Sequence, residues 1–126
     1  MTATNYLEDR ILNHVLRNTA YVQPTGLYMA LHTADPGEVG TGNEVVGGSY
    51  APQAVVFTAV VAGSGQAVSS GAVSFAGMPA ATVTHFTIRD APTGNPLFYG
   101  PLSAPQVVSA GATLAFNAGQ VVISCD

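Results

Sequence analysis

"TVTHFTIRDAPTGNPLFYGPL" (residues 82–102) decides the fold. Two runs rich in β-branched and aromatic residues, 82–90 and 96–102, flank the pentapeptide APTGN. Pro92, Gly94 and Asn95 are turn formers, so the stretch predicts an antiparallel hairpin. Working outward, the same texture recurs. LYMALHT (27–33) is apolar on both faces, as a strand buried on both sides is. QAVVFTAVV (53–61) reads as a second long strand, and GAVSFAG (71–77) as a short one. PQVVS, ATLAFN and QVVIS close the chain, separated by AGA and AG. The sum is about eight strands with turn signals every ~8–12 residues. The fold class expected is mainly β, an antiparallel β-sandwich or jelly roll with one N-terminal α-helix, in a single domain over 1–126.

The helix is expected over 4–18 and the sandwich over 26–126. Leu7, Ile11, Leu12, Val15 and Leu16 recur at three- and four-residue spacing, which makes one face apolar. Asn5 and Glu8 have capping-box spacing. Glu8 and Asp9 near the start, and His14 and Arg17 near the end, complement the helix dipole. A helix this short is marginal alone in water, so its apolar face needs the domain or a neighbour.

Charge is the compositional anomaly. Asp, Glu, Lys and Arg make up 8% of 126 residues, against a usual share of about 25%. There is no lysine, and the basic residues are Arg10, Arg17 and Arg89. Such a chain cannot build the charged surface of a typical soluble monomer, which points to surface covered by other chains. Three scattered arginines do not form a nucleic-acid patch. The apolar runs are too short to span a bilayer. Glu8 and Asp9 fall where a leader peptide would have its apolar core, so no signal peptide is expected. The single cysteine, Cys125, excludes an internal disulfide and is expected as a free thiol.

Catalytic and ligand-binding patterns fail in turn. His85, Asp90 and a serine make a triad on paper only, because the chain has no Gly-x-Ser-x-Gly elbow. GTGNEVVGG opens no helix and carries no lysine, so it is not a phosphate loop. His14, His32 and His85 lack metal-ligand spacing and read as hydrogen-bonded structural residues. Asp35, Glu38, Asn43 and Glu44 place oxygen ligands in one loop, but Pro36 and Gly37 break the spacing of a helix-loop-helix calcium site. The expectation is no enzyme activity, no metal and no cofactor. The connection from 34 to 52 is long for a compact domain. Asp35-Pro36-Gly37 turns the chain outward, and Tyr50 offers an aromatic anchor, so an extended arm contacting mainly another chain is expected. The candidate interaction residues are Leu7, Ile11 and Val15 on the helix, and Asp35, Pro36, Glu38, Val45, Val46 and Tyr50 on the arm.

NYLEDRILNHVLRNTAY followed by LYMALHTADPGEVGTGNEVVGGSYAPQAVVF resembles a family of short virion structural proteins of tailed bacteriophages, often labelled tail-fibre proteins. VTHFTIRDAPTGNPLFYGPL and VVSAGATLAFNAGQVVIS continue the likeness over nearly the whole chain. Pro52 stands where the family more often has arginine, and Ala112 where an acidic residue is common. The resemblance implies a particle component located in the virion and assembled in the host cytoplasm. A fibre shaft wants length and repeats, which this chain lacks. The role expected from these residues is therefore a capsid cement, or decoration, protein on the outer shell. It would bind the major capsid protein and self-associate as a dimer or trimer. The alternative is a tail, collar or fibre-base component. A carbohydrate-binding module is disfavoured by the absence of Trp.

Overall fold

The computed structural model describes residues 2–124 of the chain. Cys125 lies outside the described residues. The order of elements is β1 (Thr2–Ala3), α1 (Asn5–Leu16), β2 (Leu27–His32), β3 (Gln53–Val55), β4 (Gln66–Val68), β5 (Val73–Phe75), β6 (Ala81–Arg89), β7 (Pro96–Val108), β8 (Leu114–Phe116) and β9 (Val122–Ser124). The protein is mainly β, all its strand pairs are antiparallel, and its one described helix is N-terminal. Five strands form a sheet in the order β1-β7-β6-β2-β3, and β4-β9 and β5-β8 form two-stranded sheets. The bridge Phe57–Ser69 ties the chain after β3 to the chain after β4.

The hairpin is where the turn residues put it. Asp90 and Asn95 close it, with Asn95 N donating to Asp90 Oδ1 at 2.7 Å and Asp90 N to Asn95 O at 3.2 Å. A side chain at Gly94 would run into Asp90 and Ala91, so only glycine fits that turn. β2 is covered on both faces as expected, and Met29, Ala30, Leu31 and His32 are all fully buried. Its register sets Met29 opposite Ile88 and Leu31 opposite Phe86 on the core face. Tyr28, Ala30 and His32 stand opposite Arg89, Thr87 and His85 on the other face. Val73, Phe75, Leu114, Phe116 and Ile123 of the small sheets close the same core. Phe75 sits within it, edge-on to Phe116 at 6.2 Å and stacked on Tyr50 at 6.1 Å.

Three expected elements change. The run 53–61 is not one strand: β3 ends at Val55, and Val56, Val60 and Val61 are exposed on the loop that follows. PLFYGPL and PQVVS are a single strand, β7. Pro105 does not break it, because residues 102–105 bulge between the pairs His85–Pro101 and Val83–Gln106. A proline there forfeits no ladder hydrogen bond. The described strands number nine, and β1 and β4 were not anticipated.

The helix cap also shifts, from Asn5 to Thr4. Thr4 is fully buried, its Oγ1 accepts from Leu7 N at 3.4 Å and donates to Pro96 O at 2.6 Å, and its own N donates to Leu97 O at 2.8 Å. Tertiary bonding to β7 thus selects the cap over the local capping-box pattern. At the other end Asn18 takes a left-handed φ of 55°, and His14 Nδ1 accepts from Tyr21 N at 3.1 Å. Thr4→Ala is expected to cost about 2 kcal/mol, since it removes a cap and leaves a buried carbonyl of β7 short of a donor. Thr4→Ser keeps the hydroxyl and is expected to recover most of that in a urea titration.

Candidate functional site

The long connection is not an outward arm. Residues 33–50 form a strap fastened to their own sheet, and its geometry follows from an unfilled edge. β3 pairs with β2 only from Leu27 to Met29, so the backbone of Leu31 and His32 would lack partners along that edge. The strap supplies them. Val45 N donates to Leu31 O at 3.0 Å, and Thr33 N donates to Asn43 O at 2.9 Å. Glu44 bridges His32, and the Leu31 N–H is accepted by the Tyr50 hydroxyl at 2.9 Å. Farther along, Ser49 N reaches Gly77 O at 2.8 Å, and Asn5 N at the head of α1 reaches Glu38 O at 3.0 Å. Gly48, at φ +54°, lies where a Cβ would sit 2.5 Å from the Gly77 carbonyl. The strap cannot close with a larger residue there.

Under the strap lie two sets of buried and half-buried polar groups. Tyr50 OH donates to Glu44 Oε2 at 2.9 Å, and Arg89 Nη2 pairs with Glu44 Oε1 at 2.9 Å. The Arg89 side chain is 8% exposed and that of Glu44 27%. His32 Nδ1 lies 2.7 Å from Gly42 O and its Nε2 3.1 Å from Thr87 Oγ1. Gly42 O can only accept, so Nδ1 carries the proton and Nε2 accepts from Thr87. Burial, reinforced by the Arg89 charge, holds His32 below the usual imidazole range. Burial likewise pushes the Tyr50 phenol well above its ordinary value, so it acts as a neutral donor.

The candidate interaction residues divide. On α1, Leu7 is buried and docks the first turn. Ile11, Leu12, Val15 and Leu16 are 40%, 55%, 68% and 73% exposed, an apolar face left largely open by the described residues. On the strap, Asp35, Glu38 and Val46 are exposed, whereas Pro36 and Val45 are buried and Tyr50 is half-buried. Pro36, Val45 and Tyr50 seat the strap on its own domain, while Asp35, Glu38 and Val46 leave its outer side open. Asp35 Oδ1 accepts from Gly37 N at 2.8 Å as a turn former. Glu44 is committed to Arg89 and Tyr50, so the loop carboxylates do not converge as a ligand set. Among the described residues no three His, Cys, Asp or Glu side chains come together as metal ligands. No helix among them is long and apolar enough to cross a membrane.

Two features had little signal in the sequence. The Glu44–Arg89 pair joins residues 45 positions apart. A cleft of about 490 Å³ opens beside the β7 bulge, lined by Met29, Phe86, Leu102, Gln106, Phe116 and Gln120 among others, none of them charged. None of the candidate residues lines it.

No curated protein matches this sequence. A family model does match, along residues 2–124, and it is described as Gp80, Podophage GP4 fiber I protein gp80. The match takes in α1, the strap and every described strand, so the chain belongs to this family of virion structural proteins of short-tailed bacteriophages.

Proposed function

We propose that this virion protein is a non-enzymatic assembly module at the base of the fibre apparatus, attached to its neighbours through the outer face of α1. The observation that carries the reading is that face. Four aliphatic side chains on a helix anchored only by its first turn form a surface that a monomer has no reason to keep in water. The family description is that of a fibre protein, which supports the location. The described strands differ in length and spacing and form no repeating shaft unit, which favours a base or adaptor over a shaft.

The second reading is a capsid cement protein on the outer shell, bound to the major capsid protein as a dimer or trimer. The 8% charged composition favours it, because a protein covered by many neighbours needs little charge of its own. Copy number separates the two. Quantitative mass spectrometry of purified particles should return a few to some tens of copies per virion for a fibre-base protein, and hundreds for cement. Labelled protein in electron micrographs should mark the tail in the first case and the shell in the second.

The assembly surface has its own test. Leu12→Glu with Val15→Glu is expected to shift unfolding by less than about 0.5 kcal/mol, as exposed substitutions do. Incorporation into particles is expected to fall by about tenfold or more, which corresponds to losing roughly 1.4 kcal/mol of contact. Unchanged incorporation would remove α1 from the interface.

A further inference from the structure

We propose that residues 33–50 are an acid-releasable strap, held closed by His32 in its neutral form. The inference is independent of where in the virion the protein sits. It rests on how His32 is placed. The ring is fully buried on β2, opposite His85, and its two nitrogens join the strap to the sheet through Gly42 O and Thr87 Oγ1. The closed state uses one neutral tautomer, with Nδ1 as donor and Nε2 as acceptor.

A second proton goes onto Nε2. That reverses the bond to Thr87, which must turn to accept. It also places a cation among groups already balanced. From β6 the neighbours are His85, Thr87 and Arg89, and from the strap they are Glu44 and Tyr50. Only Glu44 is an anion, and its two oxygens are taken by Arg89 and the Tyr50 hydroxyl. Burial and Arg89 outweigh the Gly42 hydrogen bond and Glu44, so His32 protonates less readily closed than open.

The sign follows from linkage. Above the open-state value of about 6.5 neither state binds the proton, and the strap keeps its full stability. Below it the open state gains a proton that the closed state refuses. Opening then grows about tenfold per pH unit until the closed-state value is reached. The release is local. The strap's end is tied at Ser49–Gly77, and Glu38 at Asn5, by backbone bonds that involve no titrating side chain. What His32 controls is the segment between, whose Asn43 O and Val45 N make the edge bonds to Thr33 N and Leu31 O.

Those two amides are the readout. Hydrogen exchange on the full chain, converted to protection factors, is expected to show Thr33 and Val45 losing about tenfold in protection per pH unit below about 6.5, while β6 and β7 amides hold. In His32→Gln the slope should vanish, and in Glu44→Gln it should persist. The idea is overturned by a flat wild-type profile, by an equal slope in His32→Gln, or by a slope that only Glu44→Gln removes. Should His32→Gln fail to fold, NMR titration of the wild-type ring decides. Titration clearly below 6.5 supports the strap, and titration at or above about 6.5 sinks it.

Discussion

Phe75→Ala is expected to lower the unfolding free energy by about 3–5 kcal/mol, a large share of the total for a domain of this size. The ring is 1% exposed. It meets Phe116 of β8 edge-on and lies against Tyr50 of the strap, with an interplanar angle of 17°. Truncation leaves a cavity at the junction of β5–β8, the strap and the main sheet. The neighbours cannot collapse into it, because Phe116 is held by β8 pairing and Tyr50 by hydrogen bonds to Leu31 N and Glu44. The check is a denaturant titration by circular dichroism, in which the midpoint should fall with the slope unchanged. Phe75→Leu, which retains most of the volume, should cost clearly less.

Glu44→Ala is expected to cost about 3 kcal/mol, because it strands a nearly dry guanidinium rather than because the pair is strong. The Arg89 side chain is 8% exposed, its Nε already lacks a partner, and Nη1 has only Pro92 O at 3.4 Å. Without Glu44, Nη2 loses its charged partner and the Tyr50 hydroxyl its acceptor. Arg89→Met alone should also destabilise, leaving Glu44 uncompensated. The double substitution should be nearer the wild type than the sum of the singles, since replacing a buried pair with apolar volume is often close to neutral. Thermal unfolding of the four proteins gives the coupling directly. Additive losses would show that the pair does not act as a unit.

The parts of the fold that were legible share one property: their cause lies within a few residues. The Asp90–Asn95 hairpin is spelled by its turn, β2 by an apolar run on both faces, and α1 by spacing. The misread parts depend on lateral partners. Residues 56–61 are as apolar as β3, yet pairing with β2 ends at Val55, only the Phe57–Ser69 bridge holds 56–58, and 59–61 run exposed as a loop. PLFYGPL and PQVVS read as two strands from sequence, and only the bulge opposite β6 shows that Pro105 sits within one. Thr4 displaced Asn5 as the cap because two carbonyls of distant β7 were within reach of its hydroxyl.

The candidate site divides along the same line. That α1 has an apolar face was readable, and that it stays uncovered beyond Leu7 was not. Tyr50 anchors the strap through its hydroxyl, which accepts from the Leu31 N–H of β2, a partner 19 residues away that its own neighbourhood does not announce. The departure at Pro52 does not touch the pair that matters, which is Glu44 with Arg89.

By itself, then, the sequence determined a β domain with an N-terminal amphipathic helix, a central hairpin and very little charge. Those properties follow from side-chain period, turn chemistry and composition, which are local or additive. Only the tertiary structure decided that residues 33–50 fold inward, that His32 is sealed beneath them, and that Glu44 answers Arg89. The physical reason is hydrogen-bond satisfaction. Buried donors such as Leu31 N and the Arg89 guanidinium must find acceptors, and which acceptors come within reach depends on how the rest of the chain has already packed.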